Sequence, residues 1–498
     1  MPDLTREEVE ELLEKMREIR EREEEEAEQE DSAKPEEETS EEAPPADDKE
    51  IAASTTESTE DEATEKEGET EDEVSSGEDG EPEEEGEPEE ERPTLSDLDL
   101  EGLDLSGLQF YGIDMIGTKL KGCDLHDADL SESNMENAEM VEANLQDAIL
   151  ISTCLKGAKL NKANLERADM RKSEFHEADL TEANLMESEM GKARFIRAVL
   201  TKANMTGADL NRSNFKGADM RHVDLSDSKM AAANFFEVNF TDANLTRAQI
   251  KGARLAQALF KNTKMMRADL TGADLSDCKI LGVDLSRSKF NGSILRRATL
   301  DGSNLTESVL DIADCHQASL VGVVLEGAKM QRIKLNEATL KNARLAGVDL
   351  TRARLNQTQL ESVDLSGGIL KGADFSEANL ENADLSRANL NEAILNRARA
   401  KNSFFTGADL RQTQAEEADM ENADFAGSRI NRANFKGARL VNSDLHRAAL
   451  DQADFSKADL SKANLNGAKL YRANLTGANT KGATFEGADL TEIEGYTG

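Results

Sequence analysis

The chain reads as an all-β protein, a parallel β-helix preceded by a short helix and an acidic segment. Three observations carry that reading. From Leu100 to Leu490 every fifth residue is Leu, Met, Phe or Ile, and of these 79 positions only Cys315, Ala400, Ala415 and Thr480 depart from the rule. Two residues before each, from Thr118 to Ala488, stands a small side chain, mostly Ala or Ser, and only Ile333 is bulkier than Val or Thr. Fourteen of the sixteen Phe share this register, and six pairs of them are separated by 20 residues. A period of five fits neither the strand repeat of two nor the helix repeat of 3.6. It fits a backbone that turns after every few residues, with one large and one small group pointing inward. Such a chain satisfies its amides by winding a solenoid, each coil covering the apolar face of the last. The 20-residue Phe spacing predicts four repeats per coil and a four-sided cross-section, because like residues stack between coils.

The N-terminal stretch, residues 1–30, predicts a strongly charged amphipathic helix. Thr5 is its N-cap, Glu8 completes a capping box, and Leu4 with Val9 forms a hydrophobic staple. Val9, Leu12, Leu13, Met16 and Ile19 follow helical spacing as one narrow apolar stripe. With no core of its own beneath it, this stripe is a candidate docking or self-pairing helix.

Residues 31–94 are rich in Glu, Pro, Ser, Thr and Gly with almost no large apolar group, and predict a disordered acidic linker. The charge of −43 is concentrated here: residues 1–95 hold 43 acidic and 9 basic groups, leaving 59 and 50 for residues 96–498. The repeats then occupy residues 95–495 without a slip of register, and residues 496–498 are a short tail. At 20 residues per coil this gives about 20 coils, and a rod about 95 Å long at the usual strand spacing. Leu98, Leu103, Leu108 and Ile113 stand where small residues are the rule, which reads as a cap on the first coil. The last coil presents an open strand edge, so a homodimer through terminal-coil stacking is expected.

The segments "ADLTEANL", "ANLENADLSRANL" and "GADLRQ" resemble the A(D/N)LXX motif of pentapeptide repeat proteins. The resemblance spans about 400 residues and implies a right-handed quadrilateral β-helix, with the small and large residues of each motif pointing inward. Asp or Asn between them, as at Asp209 or Asn214, is a residue whose short side chain bonds nearby backbone in tight turns.

An enzyme is not expected. His126, His176, His222, His316 and His446 all lie at outward positions, and the two on one side, His176 and His316, are seven coils apart. No Gly-rich phosphate loop or inserted loop builds a pocket. Cys123, Cys154, Cys278 and Cys315 have no metal-ligand spacing and read as reduced packing residues, so neither metal nor cofactor is expected. The remaining classes are binding proteins. A non-enzymatic scaffold or adaptor that presents extended surfaces to a protein partner is favoured. The pairing of "LTREEV" with "LSDLDLEGLDLSG" looks like pentapeptide repeat proteins of bacterial contractile secretion clusters, which adds a secretion-associated version. The alternatives are a DNA-mimic modulator of type II topoisomerases, as in relatives of the quinolone-resistance type, and a secreted effector. Mimicry is disfavoured because the four sides of residues 101–498 carry 16 acidic and 11 basic, 16 and 11, 12 and 15, then 13 and 13 groups. Nucleic acid is likewise not an expected partner.

The third side holds a candidate basic track: Arg171, Lys172, Lys192, Arg194, Arg212, Lys251, Arg254, Arg332, Lys334, Arg352 and Arg354. Residues 31–94 are one candidate polyanion for it. Phe175, Phe195, Phe215 and Phe235 are expected to stack as one interior ladder, while Met186, Phe236, Met266 and Phe404 fall on the surface. No apolar run approaches the ~18 residues of a membrane span, and no signal peptide is recognisable. A cytoplasmic location is expected, with non-classical secretion as the other route.

Overall fold

The computed structural model describes residues 2–33 and 94–496, with the side chains of 28–33 left aside. Most of the acidic linker and the last two residues therefore lie outside the described residues. Two compact units divide the chain: Met1–Leu13 with Thr94–Gly498, and Glu14–Pro93.

Helix α1 runs Arg6–Ala33, beyond the apolar stripe and through the charged run that follows it. Its start is a capping box. The Thr5 N–H donates to Glu8 Oε2 at 2.7 Å, and the Glu8 N–H donates to Thr5 Oγ1 at 3.3 Å. The Thr5 N–H in turn holds the Glu8 carboxyl below its ordinary range.

The repeats form a β-helix built almost wholly from single parallel bridges, each joining a residue to the one 20 later, from Asp99↔Lys119 to Asn474↔Glu494. Only at β1 (Leu259–Lys261) and β2 (Lys279–Leu281) do three consecutive residues pair. Counting each repeat so that multiples of five are position 5, positions 3 and 5 face the interior and position 4 carries the bridge.

The repeat is explained by its amide groups. Around Leu165, the position-5 N–H donates to Asn184 O at 2.7 Å, and the position-2 N–H of Arg167 donates to Met186 O at 2.9 Å. The position-4 N–H of Asn184 donates back to Ala163 O at 3.0 Å. The position-3 N–H of Ala168 closes a turn onto Leu165 O at 3.1 Å. Only the position-1 N–H is left, and the Asp or Asn side chain at position 4 accepts it. Thr181 N–H donates to Asp179 Oδ1 at 3.0 Å, Asn211 N–H to Asp209 Oδ1 at 3.0 Å, and Lys216 N–H to Asn214 Oδ1 at 3.1 Å. The motif thus supplies an acceptor for the one donor that the coil-to-coil ladder leaves over.

Each corner is a turn with positive φ at position 2, as in a type II turn. All 80 such residues from Asp97 to Glu492 have it, and 55 of them are not Gly. A left-handed non-Gly residue costs roughly 1 kcal/mol, so the ladder bonds and interior packing hold these corners against local preference.

The interior is dry and ordered. Phe175, Phe195, Phe215 and Phe235 are inaccessible to solvent, with successive ring centroids 4.5, 4.6 and 5.2 Å apart and planes within 11°. Phe240–Phe260, Phe405–Phe425 and Phe435–Phe455 stack in the same way, again 20 residues apart. Buried Ser and Thr at position 3 return their hydroxyls to interior carbonyls, as Thr153 Oγ1 does to Leu130 O at 2.8 Å.

The first coil is tied to the N-terminal segment. Asp3 N–H donates to Asp99 O at 2.5 Å, and Asp99 N–H donates to Asp3 Oδ2 at 2.7 Å. Arg6 donates through Nη1 to Asp104 O (3.1 Å) and Oδ1 (2.9 Å), and through Nη2 to Ser106 O (3.1 Å). Val9 is inaccessible to solvent and Leu13 is 9% exposed. A lone helix cannot bury its own stripe, and the partner fixed by these bonds is the first coil. Leu98, Leu103 and Leu108 are half-buried there, and Ile113 is buried. Of the other stripe residues, Met16 is buried while Leu12 and Ile19 are half-buried.

Candidate binding surface

The interior is filled, so any site lies among the side chains at positions 1, 2 and 4. Nine of the twenty Lys and Arg at position 2 meet a carboxylate one coil away. Arg167 lies 2.7 Å from Asp147, Lys202 3.0 Å from Glu182, Arg297 2.7 Å from Asp277, and Arg397 3.0 Å from Glu417. Stacking at 20 residues makes these pairs, each worth at most about 1 kcal/mol at an exposed site.

The sequence-predicted basic residues separate into two groups. Arg171 is held by Asp169 (2.5 Å) and Glu189 (3.5 Å), Arg194 by Glu174 (3.0 Å), Lys251 by Asp269 (3.4 Å) and Lys334 by Asp314 (3.3 Å). Arg254 lies over the Phe236 ring at 5.3 Å, with Lys216 at 5.5 Å. Among the described residues, Lys172, Lys192, Arg212, Arg332, Arg352 and Arg354 have no carboxylate within 4 Å. The track is therefore interrupted by ion pairs, several of which draw their carboxylate from the adjoining side. Asp314 shows the balance: burial pushes its carboxyl up, but bonds from Arg296, the His316 N–H and Lys334 outweigh that and leave it below the ordinary range.

Two depressions mark this side of the solenoid. The larger, 620 Å³, has Gly191, Ala231 and Ala232 at positions where other repeats carry long side chains. Arg171, Lys172, Lys192 and Arg212 line it, with Glu189, Asp209 and Asn211. The smaller, 320 Å³, lies around Asn391, Arg411, Asn431, Arg432, Asp451 and Gln452. Its polar groups are paired internally: Arg411 with Asp409 at 2.6 Å, Asn431 Nδ2 with Asp451 Oδ2 at 2.8 Å, and Arg432 Nε with Gln452 Oε1 at 3.0 Å.

Cys123, Cys278 and Cys315 are buried and free, and burial pushes their thiols up to about 11, 12 and 12. Cys154 is half-buried. Of the histidines, His126 is raised by its bond to Asp124 at 2.9 Å, and His176 is lowered by burial and by Arg194. No group of three or more metal-ligating side chains occurs among the described residues. No described helix is long and apolar enough to cross a membrane.

Sequence reading placed Phe404 and Met266 on the surface, where they are 48% and 38% exposed; Phe236 and Met186 are half-buried. It missed Ile312, 57% exposed at a left-handed corner with φ 56°, a conformation that β-branched residues avoid. Nothing in the structure explains that residue.

The pentapeptide repeat family model matches residues 123–185, 188–307 and 318–492. The chain belongs to the pentapeptide repeat family. Among solved structures it is similar to HetL, a pentapeptide repeat protein involved in heterocyst differentiation regulation from the cyanobacterium Nostoc, at 29% identity over 52% of this chain and 93% of that one, with a TM-score of 0.26. It is also similar to QnrB1, a plasmid-mediated fluoroquinolone resistance protein, at 16% identity over 42% and 91%, with a TM-score of 0.23. A third is a pentapeptide repeat protein of the Arabidopsis thaliana thylakoid lumen, at 28% identity over 26% and 65%, with a TM-score of 0.10. No curated protein matches significantly.

Proposed function

We propose that this chain is a non-enzymatic scaffold or adaptor. Its repeats, residues 95–495, wind a right-handed, four-sided β-helix of about 20 coils that offers extended charged faces to a protein partner. The observation that carries the reading is the unbroken register from Asp99 to Glu494, which lines up surface side chains coil after coil without an inserted loop. The basic track on the third side is the contact surface, centred on Arg332, Arg352 and Arg354, which no neighbouring carboxylate neutralises among the described residues. Val9, Leu12 and Leu13 of the docking stripe hold the N-terminal segment in place, Met16 and Ile19 continue the stripe as a docking surface, and the open last coil stacks on a second copy.

Affinity capture with full-length protein and with Arg332→Glu/Arg352→Glu/Arg354→Glu tests the proposal. A partner held by the first and released by the second supports it. Equal capture by both overturns the assignment of the surface, and inhibition of a type II topoisomerase by the purified protein would favour the mimic reading instead.

A further inference from the structure

Among the described residues, the row Lys172, Lys192, Arg212 is one of two runs of three cations at position 2 in consecutive coils, and the one in which no member meets a carboxylate. The three occupy position 2 of one corner in consecutive coils, all exposed and all left-handed, with φ of 63°, 63° and 61°. Like charges directly opposite on neighbouring strands repel. The one comparable run, Arg247, Arg267 and Arg287, ends on carboxylates: Arg247 pairs with Asp227 and Arg287 with Glu307. The row at 172–212 is flanked instead by Ser152 and Ala232. It also borders the 620 Å³ depression floored by Gly191 and Ala231. The nearby carboxylates are engaged elsewhere, Glu189 with Arg171 and Asp209 with the Asn211 N–H.

The geometry points to a site for an oligophosphate, a chain of three or more linked phosphates. Three cations repeat at the coil step of about 4.8 Å, so the row spans about 10 Å along the solenoid. A linear ligand with negative charge at every link meets each cation in turn, and the long stems of Lys and Arg let the heads converge on it. Arg grips phosphate oxygens bidentately and Lys binds them as a point charge. The floor offers Gly and Ala rather than an aromatic or apolar wall, so recognition rests on the phosphates and not on an attached base. Inorganic polyphosphate and a nucleoside triphosphate share this chemistry, and the affinities separate them.

Titration calorimetry on the full chain at low ionic strength, where exposed charges are least screened, compares tripolyphosphate, ATP, orthophosphate and a glutamate trimer. Tripolyphosphate is expected to bind about tenfold or more tighter than orthophosphate. ATP matching tripolyphosphate means recognition by phosphates alone; ATP clearly tighter means that the base is read, which contradicts the site described. Lys172→Asn/Lys192→Asn/Arg212→Asn should weaken tripolyphosphate about tenfold. Asn tolerates the left-handed corner, so the fold is retained, and an unchanged melting curve checks that. Arg247→Asn/Arg267→Asn/Arg287→Asn should leave binding within about twofold. Equal losses in the two triples, no tripolyphosphate binding, or a glutamate trimer that binds as well would overturn the assignment.

Discussion

The two ends of the β-helix share one repeat and differ in what covers them. At the first coil, Leu95, Leu100, Leu105 and Phe110 are inaccessible to solvent. The amide groups that would bond to a preceding coil find substitutes: Asp3 takes the N–H and C=O of Asp99, and Arg6 takes the C=O of Asp104 and of Ser106. At the last coil, Thr480, Phe485 and Leu490 are half-exposed although they hold the same interior position. Their N–H groups, and the C=O groups of Ala478, Ala483 and Ala488, have no partner among the described residues. Tyr496 covers part of this end, its ring 4.9 Å from that of Phe485. A solenoid coil is thus only as protected as its two neighbours make it. The N-terminal segment acts as a neighbour, while the C-terminal end offers an unpaired edge of the kind that recruits another strand.

The largest expected effect lies between the ends. Phe215→Ala removes a ring stacked on both faces and should cost about 3–5 kcal/mol, measured by chemical denaturation. Phe485→Ala removes the same side chain where one face is open, and should cost under about 1.5 kcal/mol. Similar costs at both sites would mean that the last coil is covered in solution, as terminal stacking of two copies would do.

The first coil also carries a pH dependence. Glu8, through the Thr5 N–H, and Asp104, through Ser106, are held below the ordinary carboxylate range. A depressed carboxylate contributes stability that is complete above its unfolded value, about 4, and is lost as pH falls through its lower folded value. Acidification below about pH 4 should therefore release the N-terminal segment, seen as rising amide exchange in residues 95–107. A first coil whose exchange stayed level with that of an interior coil through this range would contradict it.

A smaller effect concerns thiol reactivity. Cys123 lies one coil inside the N-terminal end and donates its S–H to Leu100 O at 2.8 Å, whereas Cys278 sits deep in the repeats. Deleting residues 2–13 should make Cys123 react faster with a thiol reagent and leave Cys278 unchanged. Equal acceleration of both would indicate global loosening instead of fraying from one end.

Much of this is legible in the sequence. The period of five, the small residue two places earlier and the Phe spacing of 20 each have one physical cause, the coil, and they agree with the observed bridges between residues 20 apart. The role of Asp and Asn at position 4 was legible in kind, since a short acceptor suits a tight turn. That it serves the one N–H left over by the ladder required the hydrogen-bond pattern. The left-handed corners were hidden because Arg167, Lys172 and Glu177 carry no local preference for them. The bond from Arg6 to Asp104 joins residues 98 apart across a segment without periodicity, so no pattern announced it. Likewise, the basic residues of the third side could be numbered from sequence. Which of them are neutralised depends on where Asp169 and Asp269, on the adjoining side, send their carboxylates.

Hydrogen exchange resolved along the chain tests most directly whether the N-terminal segment substitutes for a missing coil. In the full chain, the Asp99 N–H, which donates to Asp3 Oδ2, should exchange as slowly as the position-4 N–H groups of an interior coil, and the N–H groups of Thr480, Phe485 and Leu490 much faster. Deleting residues 2–13 should bring the Asp99 N–H to the rate of the unpaired N–H groups of the last coil and leave residues 475–495 untouched. An Asp99 N–H that remains protected after the deletion would contradict the account.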